Sequence, residues 1–560
     1  MKKVLIVLGL VMLACMPVFA TGSSEAESAS SDVGTAEAAV DYNETGILKL
    51  DWHSGVGTDS LFECPWVSEQ SLYAAMVFDT LIQNNNQGTA QLPRLATEWD
   101  ISSDGKTYTF TITDKAKWHD GEPLTVSDIV FSYNAVLKLA KTSKKGNYSS
   151  LVGAQAVIDG EADSISGITS TDSTITFQLI GPDNTVLSGL FSSVPILPEH
   201  LLKEADPALL ASNETFWTRP VGSGLYKLNE VSFPNYFTLV RNDDYFGDKA
   251  KIKNVLFTSH EVGGTEALIA DVIAGNIDYA YGNAVNDINT AENVIANNPD
   301  IKMEFFPGGY MRKFQFNLVG SQDGKYNDDM LKQEVRQAFG LIMDMDSFAS
   351  FYPGQGLVLT TFVNPKLNAY NTDIPLWKRD VAKAKTMLEA ADFDFSRPVR
   401  ILYYYGDQTT KDLMDVLVQN FAEVGITAEP FLATGDLAAI IYEVKNYDMI
   451  YLGGGGSHPI LQYGMLVPGG GNDKILGQVE YRSIFRTLMD QFKSTNDPAE
   501  KKEIGDKIQM EAYNYAAVIP AYGLNEIVLY NAAKLKVDEQ IFDGLPVNNY
   551  HFANWELIGE

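Results

Sequence analysis

From residue 398 the chain settles into a fixed alternation. "VRILYYY" reads as a strand, "KDLMDVLVQNFAEVG" as a helix and "ITAEPFL" as a strand. "GDLAAIIYEV" is again a helix and "YDMIYL" again a strand. Strand, helix, strand, helix, strand with short links predicts an α/β unit around a mainly parallel sheet, since parallel neighbours need a crossover that packs back on the sheet. Open sheets of this kind collect ligands beyond the carboxyl ends of their strands. The segment found there, after Leu452, is "GGGGSHPILQYG". Glycines let a backbone approach a ligand closely, although a glycine run is also what a plain mobile linker looks like. The candidate ligand contacts at this end are Gly453, Gly454, Gly455, Gly456, Ser457, His458 and Tyr463.

A chain of 560 residues is too long for one core, so two or three lobes are expected. The net charge of −30 gives a surface that repels nucleic acid and anionic lipid, and neither is expected as a partner. At the N-terminus Lys2 and Lys3 precede an apolar run from Val4 to Ala14. That run is too short for a good membrane span, which takes about 20 apolar residues, and reads as a secretory signal. Val18-x-Ala20 suits cleavage after Ala20. Leu13-Ala14-Cys15 offers the alternative, a lipid anchor on Cys15. The small, acidic stretch that follows reads as a flexible leader. If Cys15 is removed or acylated, Cys64 stands alone and the mature chain has no internal disulfide.

Earlier in the chain "TYTFTIT" alternates strictly, with Tyr108, Phe110 and Ile112 on one face, and "STITFQLIG" does the same with Ile175, Phe177 and Leu179. Both predict half-buried strands. Between them lies "KWHDGEPLTVSDIVFSY". Asp120-Gly121 supplies a turn, and Thr125 with Asp128 resembles a capping box. Val126, Ile129, Val130, Tyr133 and Leu137 then line one face of a helix. Trp118-His119-Asp120 thus reads as a corner between strand and helix, since catalysis would need further groups that the local sequence lacks. A helix is also predicted over "GTEALIADVIAG", with Leu268, Ile269, Val272 and Ile273 inward and Gly275 closing it. Phe314, Phe316 and Leu318 mark another strand.

Enzyme signatures fail on inspection. Gly105-Lys106-Thr107 has Asp100 where a phosphate loop needs glycine, His260-Glu261 lacks the second histidine of a zinc-protease helix, and no GxSxG elbow occurs. The six histidines are scattered, so no metal and no cofactor is expected, and the chain reads as a non-enzyme.

The segment "LPRLATEWDISSDGKTYTFTITDKAKWHDGEPLTVSDIVFSY" closely resembles the signature of the family 5 extracellular solute-binding proteins, the peptide, nickel and oligosaccharide receptors of ABC importers. The likeness continues through "PVGSGLYKL", "RNDDYFGDKAKIKNVLF", "GNIDYAYG", "VRQAFGLIMDMDSF", "DVAKAKTMLEAADF" and "AAVIPAY", over about residues 45 to 557. The resemblance implies the two-lobed periplasmic binding protein fold, with an extra subdomain in the first lobe and a hinge between lobes. The expected segments are a signal peptide 1–20, a leader 21–44, lobe I at 45–82, the extra subdomain at 83–190, lobe I again at 191–302, lobe II at 303–520 and a return to lobe I at 521–560. Strands at 312–318 and 519–530 would be the lobe crossings. In the family the Trp118-His119-Asp120 motif is scaffold.

The resemblance also implies a periplasmic monomer that closes on a solute and docks on a membrane permease. Peptide-binding members usually carry an aspartate after the strand matching "YDMIYL", where it holds the peptide's amino group. Here glycines stand instead, and a buried ammonium without a countercharge is costly. A neutral, hydroxyl-rich solute such as an oligosaccharide is therefore expected, with peptide next. A nickel chelate held by His458 is the nearer alternative and an exported hydrolase the remote one. Trp52 and Trp66 would offer aromatic faces to sugar rings, and His53, Glu63 and His458 would bond hydroxyls.

Overall fold

The structure, a computed structural model, describes residues 40–52, 62–67, 72–260, 264–281, 288–455, 458–469, 472–477, 480–544 and 552–559. The expected signal peptide and nearly all of the leader lie outside them. No described helix is long and apolar enough to cross a membrane.

Two large sheets organise the chain. The first has seven strands in the order Ile301–Phe306, Glu526–Asn531, Tyr279–Tyr281, Ile47–Trp52, Asn254–Ser259, Tyr236–Arg241 and Tyr226–Ser232. The second has six, in the order Gly356–Leu357, Val518–Leu524, Tyr310–Phe316, Met449–Gly455, Val399–Tyr403 and Ala428–Leu432. Each sheet has its own core cluster, one around Trp66, Phe237 and Phe257 and the other around Phe314, Phe339 and Phe421. The strands read from the alternation after 398 are all present, but only half of their sheet is parallel. Val399–Tyr403 runs parallel to both neighbours, while Tyr310–Phe316 pairs antiparallel on each side. The antiparallel half comes from segments outside that local rhythm.

The strand Ile301–Phe306 belongs to the first sheet and Tyr310–Phe316 to the second, so the chain passes between them at Pro307-Gly308-Gly309. It returns at Asn525, between Val518–Leu524 and Glu526–Asn531. The first passage thus lies just before the expected 312–318, and the second is a single residue. The two passages are packed together: a Cβ on Gly308 would stand 1.6 Å from the Leu524 carbonyl oxygen. The Asn525 N–H donates to the Gln355 carbonyl at 3.0 Å, and Asn364 Nδ2 donates to the Gly308 carbonyl at 3.3 Å.

A third sheet holds Ala96–Ile101, Thr107–Ile112, Thr174–Gln178 and Ile168–Ser170, antiparallel throughout. The inward residues of its two central strands are those the alternation marks, and Phe110, Phe177 and Phe191 meet with ring centroids 4.6 to 5.9 Å apart. The helix Val126–Lys138 covers it, opened by Thr125, whose N–H donates to Asp128 Oδ2 at 2.8 Å. The subdomain touches the second lobe through Asn184, whose N–H donates to the Lys493 carbonyl at 2.8 Å, with Lys493 Nζ 3.2 Å from Asp183 Oδ2, and through Gln87, whose Oε1 accepts the Asn368 N–H at 2.9 Å.

The helix predicted near 264 spans Gly264–Ala274 and ends at Gly275 with φ +73°, as a left-handed cap requires. Leu268, Ile269 and Val272 face inward, but Ile273 is exposed, because one more residue turns the helix by 100° past the apolar stripe.

Trp118-His119-Asp120 is a structural corner. Trp118 is buried, and the His119 N–H donates to the Gly222 carbonyl at 2.8 Å. The imidazole is held at both nitrogens: Nε2 lies 3.1 Å from the Gly224 carbonyl, and the Gly222 N–H donates to Nδ1 at 3.3 Å. That pattern fixes the neutral tautomer with its proton on Nε2. Burial pulls the pKa of His119 down to about 4, so the ring stays neutral. Gly222 has no alternative, since a Cβ there would lie 1.8 Å from the Val77 carbonyl oxygen.

Candidate functional site

The strand Met449–Gly455 runs through the first three glycines instead of stopping at Leu452. Gly453, Gly454 and Gly455 pair with Arg312, Met311 and Tyr310. The run is neither a mobile linker nor a loose loop over its first three residues, and the missing side chains make room for those of the neighbouring strand. A Cβ on Gly453 would lie 1.9 Å from Tyr310 Oη and 2.4 Å from Arg312 Nη1. A Cβ on Gly454 would lie 2.8 Å from Lys313 Nζ. The glycines are where two cationic side chains are accommodated.

The two cations sit in different surroundings. Arg312 is half-buried against phenols, with its guanidinium carbon 3.7 Å from the Tyr405 ring centroid and Nη1 donating to Tyr310 Oη at 3.0 Å. Tyr310 and Tyr404 each share a hydroxyl hydrogen bond with Tyr405, at 3.1 and 2.9 Å, and the Gly453 N–H donates to Tyr405 Oη at 3.0 Å. Asp407, whose field reaches Arg312, caps the next helix through the Thr410 N–H at 2.8 Å. Lys313 is 4% exposed. Its Nζ has the Met465 sulfur at 3.4 Å and the Phe362 ring centroid at 5.6 Å. Among the described residues neither Arg312 nor Lys313 has a carboxylate within ion-pair distance.

The remaining candidates from the sequence fall elsewhere. Trp66 is fully buried in the first core cluster, with Nε1 donating to the Pro195 carbonyl at 2.8 Å. An indole packed on both faces offers none to a sugar, which corrects the expected role. Tyr463 is likewise a core residue of the second lobe, stacked on Phe362 at 4.6 Å and accepting the Phe362 N–H at 2.9 Å. His458 uses Nδ1 to accept the Ile460 and Leu461 N–H groups at 3.1 and 3.3 Å, so it caps the short helix Leu461–Leu466. Burial, then Lys501, pulls its pKa down to about 3. With that nitrogen in use, His458 does not supply the metal contact on which a nickel chelate would depend. Glu63 is half-buried and contributes its carbonyl to Tyr73 Oη at 2.9 Å. Trp52 is placed by its backbone, opposite Ser259. His53, Gly456 and Ser457 lie outside the described residues. No group of three or more His, Cys, Asp or Glu side chains stands ready for a metal ion among the described residues.

Sequence reading missed Tyr310, Arg312, Lys313, Tyr404 and Tyr405. A signal was present: in "YMRKFQFN" two adjacent cations interrupt a strand that is otherwise buried from Met311 to Phe316.

The family model for bacterial extracellular solute-binding proteins, family 5, middle region, matches residues 91–473, well over half of the chain. The chain belongs to this family. Among curated relatives of this family 5 protein, a Brucella ovis chain described as an ABC transporter peptide-binding protein is 28% identical over 341 residues, covering 60% of this chain and 59% of that one. The chain thus spans about three fifths of the length of the first curated relatives it matches. The dipeptide-binding protein of Escherichia coli is 23% identical over 85% of this chain and 88% of its own. The crystal structure of the ABC transporter substrate-binding protein CtaP of Listeria monocytogenes superposes with a TM-score of 0.72 at 20% identity, over 92% of this chain and 99% of that one. At that identity the likeness establishes the fold, which is the two-lobed one of periplasmic binding proteins.

Proposed function

We propose that this family 5 protein works outside the cytoplasmic membrane as the solute receptor of an ABC importer, closing two lobes on a polar solute and presenting it to a membrane permease. The observation that carries this reading is the pair of neighbouring passages at Pro307-Gly308-Gly309 and Asn525. Two lobes with separate cores, joined by two short passages side by side, are the geometry of a hinge. The glycine-ended strand, Arg312 and the phenols of Tyr310 and Tyr405 stand next to that hinge.

For the solute itself, an oligosaccharide draws support from the clustered hydroxyls and ring faces of Tyr310, Tyr404 and Tyr405, which suit sugar hydroxyls and the CH faces of sugar rings. Peptide is the second reading, favoured by relatives described as peptide- and dipeptide-binding proteins. The test is small-angle scattering on the purified chain with members of an oligosaccharide and a tripeptide panel. A saturating solute should reduce the radius of gyration without being consumed. No compaction with any solute, or measurable turnover of one, overturns the receptor reading.

A further inference from the structure

We propose that Asp183 and Asn184 form a latch, through which the extra subdomain of lobe I grips the end of a lobe II helix. It holds the lobes together before any solute arrives and lets go when they swing apart. The inference rests on the receptor reading and adds a control over its closing step.

The first support is how that helix ends. Ser483–Ser494 stops at Thr495, whose backbone is extended at φ −96° and ψ 141°. The last carbonyls of a helix lack partners within it, and a left-handed glycine just beyond commonly brings the missing N–H groups. No glycine follows here. The Thr495 N–H serves Gln491, and the next carbonyls are served from the other lobe. The Asn184 N–H donates to the Lys493 carbonyl at 2.8 Å, and Asn184 Nδ2 donates to the carbonyls of Phe492, at 3.4 Å, and Thr495. A helix capped by its own chain is indifferent to lobe position. This one is complete only while the lobes are together.

The second support is charge. A carboxylate beside a helix C-terminus is repelled by the carbonyl dipoles unless cations accompany it. Asp183 is buried, with Oδ2 at 3.2 Å from Lys493 Nζ and 2.5 Å from the Ser150 hydroxyl, while Oδ1 accepts from Thr185. Lys501, on the next helix Pro498–Tyr515, feels the same acid: burial pulls its pKa down and the field of Asp183 opposes that. One acid of lobe I thus meets two cations of lobe II.

The third support is that the grip is incomplete. Asn184 Oδ1 is buried and has no donor among the described residues. An acceptor kept dry offsets part of what the three bonds contribute, so the contact can be released. Its place is also apt. Phe492, whose carbonyl Asn184 takes, packs edge-on to His458 at 5.9 Å, just past the glycine-ended strand. The Gln87–Asn368 bond lies instead by the hinge, next to Leu367, which lines a recess with Gly308. A standing closed fraction lowers the free energy that a solute must supply to shut the lobes.

Amide hydrogen exchange at Asn184, resolved by fragmenting the labelled peptide, tests this on the full chain without solute. The expected result is intermediate protection: slower exchange than an unbonded amide, faster than Thr107–Ile112 in the same subdomain, because a latch opens without unfolding its lobe. Lys493→Met, which leaves residue 184 unaltered, should speed that exchange about 2- to 5-fold, the worth of one partly exposed ion pair. Exchange in Thr107–Ile112 should not change, which also shows that the variant folds. Asn184→Ala should enlarge the radius of gyration of the solute-free chain in scattering. Protection at Asn184 equal to that of Thr107–Ile112 overturns the latch, since the contact is then permanent, and an unprotected Asn184 overturns it as well. So does exchange unmoved by Lys493→Met, or a radius unmoved by Asn184→Ala. The receptor reading is judged apart from this: a solute that compacts the natural chain keeps it standing when the latch fails, and it falls without such a solute whatever Asn184 does.

Discussion

Two glycine-bearing segments of this protein look alike on paper and do opposite things. At the lobe I corner, Gly222 and Gly224 let backbone press on backbone, and His119 threads between them with both ring nitrogens bonded. At the end of the lobe II strand, Gly453 and Gly454 let side chains in, and the cations that arrive have no carboxylate beside them among the described residues. The first segment is complete within itself. The second has hydrogen-bonding capacity left over. What separates scaffold from site here is residual valence, since both places contain conspicuous polar residues.

The contrast can be broken most sharply at Gly222. Gly222→Ala places a methyl group inside the van der Waals radius of the Val77 carbonyl, where neither backbone can retreat. Stability should fall by about 3 kcal/mol or more, as for severe overpacking. Urea unfolding of the variant would read this directly, and a loss below about 1 kcal/mol would show that the corner is looser than a 1.8 Å approach to the Val77 carbonyl implies.

Lys313 gives an effect of comparable size and opposite sign. Its folded pKa of about 8 lies below the ordinary 10.5, so between those values the unfolded chain binds more protons and stability rises with pH. Below pH 8 the whole cost of burying the charge is present, on the order of 3 kcal/mol for a shift of this size. Lys313→Met should therefore make the ligand-free protein more stable at pH 7, and the advantage over the natural chain should shrink from pH 8 to 10.5. Parallel urea titrations across that range check both the sign and the window. A destabilised variant at pH 7 would mean that Lys313 has a partner in the folded protein.

The smallest effect belongs to Gly454→Ala. The atom in its way is the tip of a flexible lysine and not backbone, so the stability change should stay within about 1 kcal/mol, far below that of Gly222→Ala. Denaturation of the two variants side by side measures the contrast; equal losses would erase it.

The sequence disclosed whatever is recorded as period or turn chemistry. The strand Thr107–Ile112, the capped helix Val126–Lys138 and the corner at Trp118 follow from alternation, a Thr-Asp pair and an Asp-Gly turn, all local signals. Gly453–Gly455 could not be read as strand, because glycine carries no side chain to alternate and its extended form here is imposed by pairing with Tyr310–Arg312. Trp66 and Tyr463 look like ligand contacts for the same reason that they make good core: each is large, apolar and equipped with one polar atom, which a carbonyl at Pro195 and an amide at Phe362 occupy. Arg312 and Lys313 were visible as charges in an apolar strand. Their meaning depends on what long-range pairing leaves around them.

The position of Glu526–Asn531 has a consequence for the order in which the molecule can be made. This strand lies between Ile301–Phe306 and Tyr279–Tyr281 in the first sheet, so a segment synthesised late is the keystone of a lobe begun nearly 500 residues earlier. The second-lobe sheet, by contrast, is supplied by one unbroken stretch from Tyr310 to Leu524. A ribosome that has not yet reached residue 526 holds a chain whose inner lobe can assemble while the outer one stays open along a seam. The last strand closes that seam, and in doing so it brings the second hinge passage to rest against the first.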